Sequence, residues 1–154
     1  MSEPAFACDA MLGTLARWLR FAGFDTSYDP NLPDPALAAA ARREGRWLLT
    51  RDRRLAASAG PRVVLLRRSE LSQQVGELRG RLALSLDPQR VFTRCSRCNG
   101  ALETVEREAV AARIPPYVAA HAGRFVVCPG CRRVYWPGTH TQRISDRINE
   151  LFGS

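Results

Sequence analysis

Three aspartates in this 154-residue chain, Asp9, Asp34 and Asp52, have the type and placement to do chemistry on a phosphate. Asp9 follows the apolar run Phe6-Ala7-Cys8, Asp52 follows Trp47-Leu48-Leu49-Thr50-Arg51, and Asp34 stands before Pro35 at the head of an alanine-rich stretch. If both runs are buried strands, Asp9 and Asp52 emerge at strand ends, where ligand crevices open in parallel α/β sheets. Carboxylates confined in one cleft repel unless a cation joins them, and oxygen donors suit Mg²⁺ or Mn²⁺. Such an ion can activate water and stabilise charge on a phosphodiester. Plainer readings exist for some of these acids. Asp34 is a good helix N-cap, a role worth about 1 kcal/mol, and Asp29 before Pro30 reads as a turn residue. Asp9 has no evident capping role. Arg51, Arg53 and Arg54 flank Asp52; beside a metal site, these three and also Arg17 would contact a nucleic acid backbone.

The second set is Cys95, Cys98, Cys128 and Cys131, two Cys-x-x-Cys pairs separated by 29 residues. Two residues between the members of a pair let both thiolates face one ion, and two such pairs complete a closed tetrahedral zinc site. In a chain without a recognisable secretory signal, paired motifs of this kind favour metal over disulfides. Cys8 reads as a packing residue in an apolar strand. Tyr117, Phe125, Tyr135 and Trp136 could stack bases, although Phe125 fits better as the core of a small ribbon.

These side chains need elements to hold them. Leu12, Leu15, Ala16, Leu19 and Ala22 recur at helical spacing up to Gly23, which predicts an amphipathic helix after the first strand. Strands are expected over 24–28, 46–50 and 63–66, with helices over 34–44 and 55–59 and a further one capped by Ser69. This alternation argues for a parallel sheet with helices on both faces. Asp87-Pro88 divides the chain into a first unit over 1–88 and a second over 89–154. In the second unit strands flank each cysteine pair, a helical excursion broken by Pro115-Pro116 spans 106–122, and a last helix covers 141–152 with Ile144, Ile148, Leu151 and Phe152 on one side.

Apolar residues make up 45% of the chain, enough for a core. No stretch approaches the roughly 20 apolar residues of a membrane helix, so the expectation is a cytoplasmic protein with no membrane partner. The formal charge is +8, shared equally on either side of residue 90, and every basic residue is arginine. Partners bearing phosphate suit that charge.

Phe6 to Gly13 with Leu15-Ala16-Arg17-Trp18-Leu19-Arg20, then Leu49-Thr50-Arg51-Asp52-Arg53, Arg94-Cys95 to Asn99-Gly100, and Cys128-Pro129-Gly130-Cys131 with Tyr135 to His140 together resemble the RNase-type domain at the C-terminus of Mutator-seven exonucleases. The resemblance implies a PIN-like α/β nuclease domain followed by a small four-cysteine zinc ribbon. It also implies hydrolysis of RNA with Mg²⁺ or Mn²⁺ held by clustered acids. Asp9 matches the first-strand acid, Asp34 the acid opening the helix before the third strand, and Asp52 the acid after that strand; Asp9 and Asp52 are the expected metal ligands. A full site of this kind has four acids, and the next carboxylate here is Glu70. A rival reading is a non-catalytic RNA-binding or ribosome-associated module. A phosphoacceptor receiver needs a lysine, which the chain lacks, and an aspartyl phosphatase needs an acid where Met11 stands.

Overall fold

Alternation within the short strands sorts the interior into two layers. Phe6 and Cys8 of β1 (Phe6–Cys8) belong to one apolar cluster and Ala7 to another; in β3 (Trp47–Thr50), Leu49 joins the first and Leu48 the second. Side chains of a strand alternate across the sheet, so both faces of these central strands are covered. A parallel sheet requires this. In the computed structural model, which describes residues 3–153, β1 and β3 lie between β2 (Thr26–Tyr28) and β4 (Val63–Leu65). The order is β2-β1-β3-β4, all parallel. Their carboxyl ends therefore open on one edge.

Helices α1 (Gly13–Phe21), α4 (Leu71–Leu82) and α7 (Thr139–Phe152) cover the first face with Leu15, Leu19, Val75, Leu78, Ile148 and Leu151. Burying each such leucine is worth about 1.5–3 kcal/mol. Helices α2 (Asp34–Arg43) and α3 (Arg53–Ser58) cover the second with Leu37, Ala41 and Leu55. After α1 the chain turns at Gly23, whose φ of +99° suits glycine. A Cβ there would also lie 2.3 Å from the Arg90 carbonyl oxygen.

The cysteines belong to a smaller antiparallel sheet of β5 (Glu103–Val105), β6 (Phe125–Val127) and β7 (Val134–Tyr135). Between β5 and β6 come α5 (Arg107–Val110), a single 3₁₀ turn and α6 (Pro116–His121), the expected excursion. Val110, Ile114 and Phe125 form its core, with Trp136 packed against them. The first cysteine pair is closed by one bridge, Arg94 to Ala101, where flanking strands were expected. Ser69 does not cap α4, whose N-cap is Glu70.

Two features tie this sheet to the larger one. α7 returns to pack on α1 and α4, with Phe152 5.9 Å from Phe24 between ring centroids. At the edge of β2, Asn99 accepts a hydrogen bond from the Thr26 amide at 2.9 Å and donates to Asp25 at 2.7 Å, while the buried Arg20 donates to the carbonyls of Thr26 and Ser96. Among the described residues, no helix is long and apolar enough to cross a membrane.

Candidate active site and metal centre

Asp9 leaves β1 at the sheet edge and is only 4% exposed. Its Oδ1 accepts from the Met11 amide at 3.0 Å, so it caps the 3₁₀ turn Ala10–Leu12, a role the sequence reading did not assign. Its Oδ2 accepts from the hydroxyl of Thr50, the fully buried last residue of β3. The same Thr50 oxygen accepts from the Asp52 amide at 2.9 Å. One hydroxyl thus connects Asp9 to Asp52. Sequence reasoning passed over Thr50; a hydroxyl ending an otherwise apolar buried strand was the available signal.

Asp52 caps α3, its Oδ1 accepting from the amides of Arg54 at 2.8 Å and Leu55 at 3.2 Å. Among the described residues its Oδ2 has no hydrogen-bond partner. Asp34 is not the N-cap of α2: Pro33 holds that position, and Asp34 is the first helical residue, without a capping bond. The capping explanation for Asp34 therefore falls away, and what remains locally is the favourable place of an acid in the first helical turn. Instead Asp34 and Asp52 line one cavity of about 560 Å³, with Arg42, Arg54 and Ser58. Arg54 was expected beside Asp52, while Arg42 is a basic group at this cavity that the sequence did not single out. Asp9 does not line the cavity, and among the described residues the three aspartates do not form a group within 4.8 Å.

Arg51 and Arg53 face a second, smaller cavity. Arg17 lines neither; its guanidinium lies 5.3 Å from the centre of the Phe21 ring, a cation–π contact on the outside of α1. Asp29 is the expected turn residue, accepting from the Asn31 amide at 2.9 Å. No fourth acid takes a place beside Asp52 in the cavity lining. Glu70 makes no capping bond, and Glu77 accepts from the amides of Arg67 and Arg68, each at 3.0 Å, which fixes the loop after β4.

Cys95, Cys98, Cys128 and Cys131 converge, their sulfur atoms all within 4.8 Å of one another. The two closest approaches, Cys98 to Cys128 at 3.3 Å and Cys95 to Cys131 at 3.6 Å, pair the two loops rather than the members of one motif. These separations are well beyond the roughly 2.0 Å of a disulfide. Both loops use the same backbone device: the residue after the second cysteine, Asn99 or Arg132, has a positive φ of 73° or 66°. Gly100 packs against the sulfurs, since a Cβ there would lie 2.8 Å from Cys128 Sγ. Burial pushes the Cys95 thiol up, but the Tyr135 hydroxyl at 3.0 Å and the amides of Cys98 and Arg97 outweigh it and bring the thiol to about 7. Four soft sulfur donors in a closed set fit a metal such as zinc. His140 and His121 stand outside the set; His121 stacks on Tyr117. Burial pushes the Cys8 thiol up and keeps it neutral, as a packing residue.

No curated protein and no solved structure gives a significant match to the chain. The family model of the Mut7-C RNAse domain matches residues 4–148, a span that takes in the aspartates at the sheet edge and all four clustered cysteines. The chain belongs to the Mut7-C RNAse domain family.

Proposed function

We propose that the chain is a metal-dependent ribonuclease: a PIN-like nuclease unit over 1–88 and a zinc ribbon over 89–154, acting on RNA in the cytoplasm. The observation that carries the reading is the Asp9–Thr50–Asp52 connection at the carboxyl edge of the sheet, with Asp34 and Asp52 lining one cavity. Asp9 and Asp52 would hold Mg²⁺ or Mn²⁺, and Asp34 would assist through a water or a second ion. The ion would supply positive charge near the phosphodiester and a water more easily deprotonated than bulk water. Thr50 keeps the Asp9 carboxylate turned toward Asp52, while the capping bonds to Oδ1 of Asp52 leave its Oδ2 available. Arg42 and Arg54 place positive charge at the same cavity, where it would offset the phosphate. Zinc bound by Cys95, Cys98, Cys128 and Cys131 would be structural, since four protein ligands leave no open position.

The wider spacing of the three acids favours one rival, an RNA-binding module without turnover. Titration of wild type and Asp9→Asn with Mn²⁺, followed by calorimetry and by cleavage of mixed RNA, separates the two. Mn²⁺ binding and cleavage that both disappear in Asp9→Asn support the ribonuclease. RNA binding indifferent to Mn²⁺, with no cleavage by wild type, supports the module.

A further inference from the structure

Residues 51–54 form a wall between two cavities. Asp52 and Arg54 line the larger, while Arg51 and Arg53 line a smaller one of about 250 Å³, completed by Leu65, Leu66 and Arg67. The smaller cavity has no acidic side chain in its lining, and its three arginines come from two sequence segments that β3 and β4 bring side by side. Among the described residues none of these three arginines has a carboxylate within 4.0 Å. Arg51 adds a more pointed sign: its Nε is buried and has no hydrogen-bond partner. A buried donor left unpaired is costly, and an acceptor that reached it would relieve that cost.

The third arginine is held in place. The amides of Arg67 and Arg68 both donate to Glu77, and the carbonyl of Arg68 accepts from the buried Gln74 at 2.9 Å. This clamp fixes the backbone from which Arg67 projects.

We infer that Arg51, Arg53 and Arg67 form a phosphodiester-binding subsite, distinct from the aspartate-lined cavity, that grips the backbone of single-stranded RNA beside the acids. Guanidinium forks match phosphate oxygens. The lining offers guanidinium donors and no acidic or aromatic side chain, which suits a phosphate better than a base. The inference rests on the ribonuclease reading for its choice of RNA, but the binding it describes needs neither the aspartates nor turnover.

The test is fluorescence anisotropy with labelled oligouridine across a salt series, without added Mg²⁺ or Mn²⁺, on wild type, Arg67→Gln, Arg51→Gln and the α7 surface control Arg143→Gln. Thermal melting and zinc content verify each fold. Arg67→Gln should weaken binding about fivefold, and the slope of log affinity against log salt should shrink by about 0.7, one lost single-strand phosphate contact. Arg51→Gln should do the same, while Arg143→Gln keeps wild-type affinity. Because Arg67 is exposed, its variant decides the matter even if Arg51→Gln fails to fold. Wild-type affinity and slope in Arg67→Gln would overturn the subsite. If wild type fails to cleave RNA with Mn²⁺ yet Arg67→Gln lowers the slope, the ribonuclease reading falls and the subsite stands.

Discussion

The hydroxyl of Thr50 donates to Asp9 across the β1–β3 pair, and the same oxygen accepts the amide of Asp52 at 2.9 Å. One fully buried side chain therefore holds the carboxylate of the first-strand acid and the backbone of the acid after the third strand. Thr50→Val keeps the shape and removes the hydroxyl. It leaves a buried carboxylate oxygen without its donor, so stability should drop by about 1–3 kcal/mol in thermal or denaturant unfolding. Cleavage should fall by about 10–100-fold, the usual effect of losing a partner that orients metal ligands.

The sulfur cluster predicts one zinc per chain by elemental analysis. Strong chelation should remove the ion and loosen the β5–β6–β7 sheet, seen as faster amide exchange at Val126 and Val127. Gly100→Ala should weaken zinc retention without touching a ligand, because its Cβ would lie 2.8 Å from Cys128 Sγ. A variant with full zinc content and unchanged exchange would show that this packing is not needed.

Asp25 links the two sheets and gives an acid-sensitive signature. Burial pushes its carboxyl up, but hydrogen bonds from Arg46 and Asn99, at 2.7 Å each, and the charges of Arg46 and Arg94 outweigh it and hold the group below the ordinary 3.8. A carboxylate favoured in the folded state contributes stability above its unfolded value and loses that contribution as pH falls through the folded one. Asp25→Asn should cost about 1 kcal/mol at neutral pH, a modest figure because the pair is partly solvated. Its deficit relative to wild type should shrink below about pH 4 in unfolding curves, the unfolded carboxyl range.

The C-terminal helix is core to the larger sheet rather than an attachment. Phe152→Ala, at a side chain 2% exposed against Phe24, should destabilise by about 3–5 kcal/mol. The loss should appear in the unfolding of the parallel sheet, read by near-ultraviolet circular dichroism.

Much of the layout was legible from local pattern. The alternation of short apolar runs with helical periodicity located the four parallel strands, and strand-end position alone marked Asp9 and Asp52. Cysteine spacing marked the sulfur cluster. What local pattern missed were long-range or cap-level facts. Asp34-Pro35 reads as cap and first helical residue, yet Pro33 adopts the extended cap conformation, with φ −62° and ψ 150°, and shifts the helix start by one. The apolar face of Ile144, Ile148, Leu151 and Phe152 was visible, but not that its partner is the first core rather than the small sheet. Thr50 shows in the sequence only as a hydroxyl ending an apolar strand, and its partner Asp9 is set only once β1 lies beside β3. The Asp25–Asn99 contact spans 74 residues and has no local signature.

The central claim is that Asp9 and Asp52 form one metal-dependent catalytic unit, and cleavage of single-stranded RNA by Asp52→Asn beside wild type, across a Mn²⁺ series, tests it most directly. Wild type should cleave in proportion to bound Mn²⁺, while Asp52→Asn, with unchanged zinc content and melting temperature close to wild type, should lose at least about 100-fold in rate, the scale on which electrostatic transition-state stabilisation acts. Cleavage by Asp52→Asn at the wild-type rate, with the same Mn²⁺ dependence, would contradict the account.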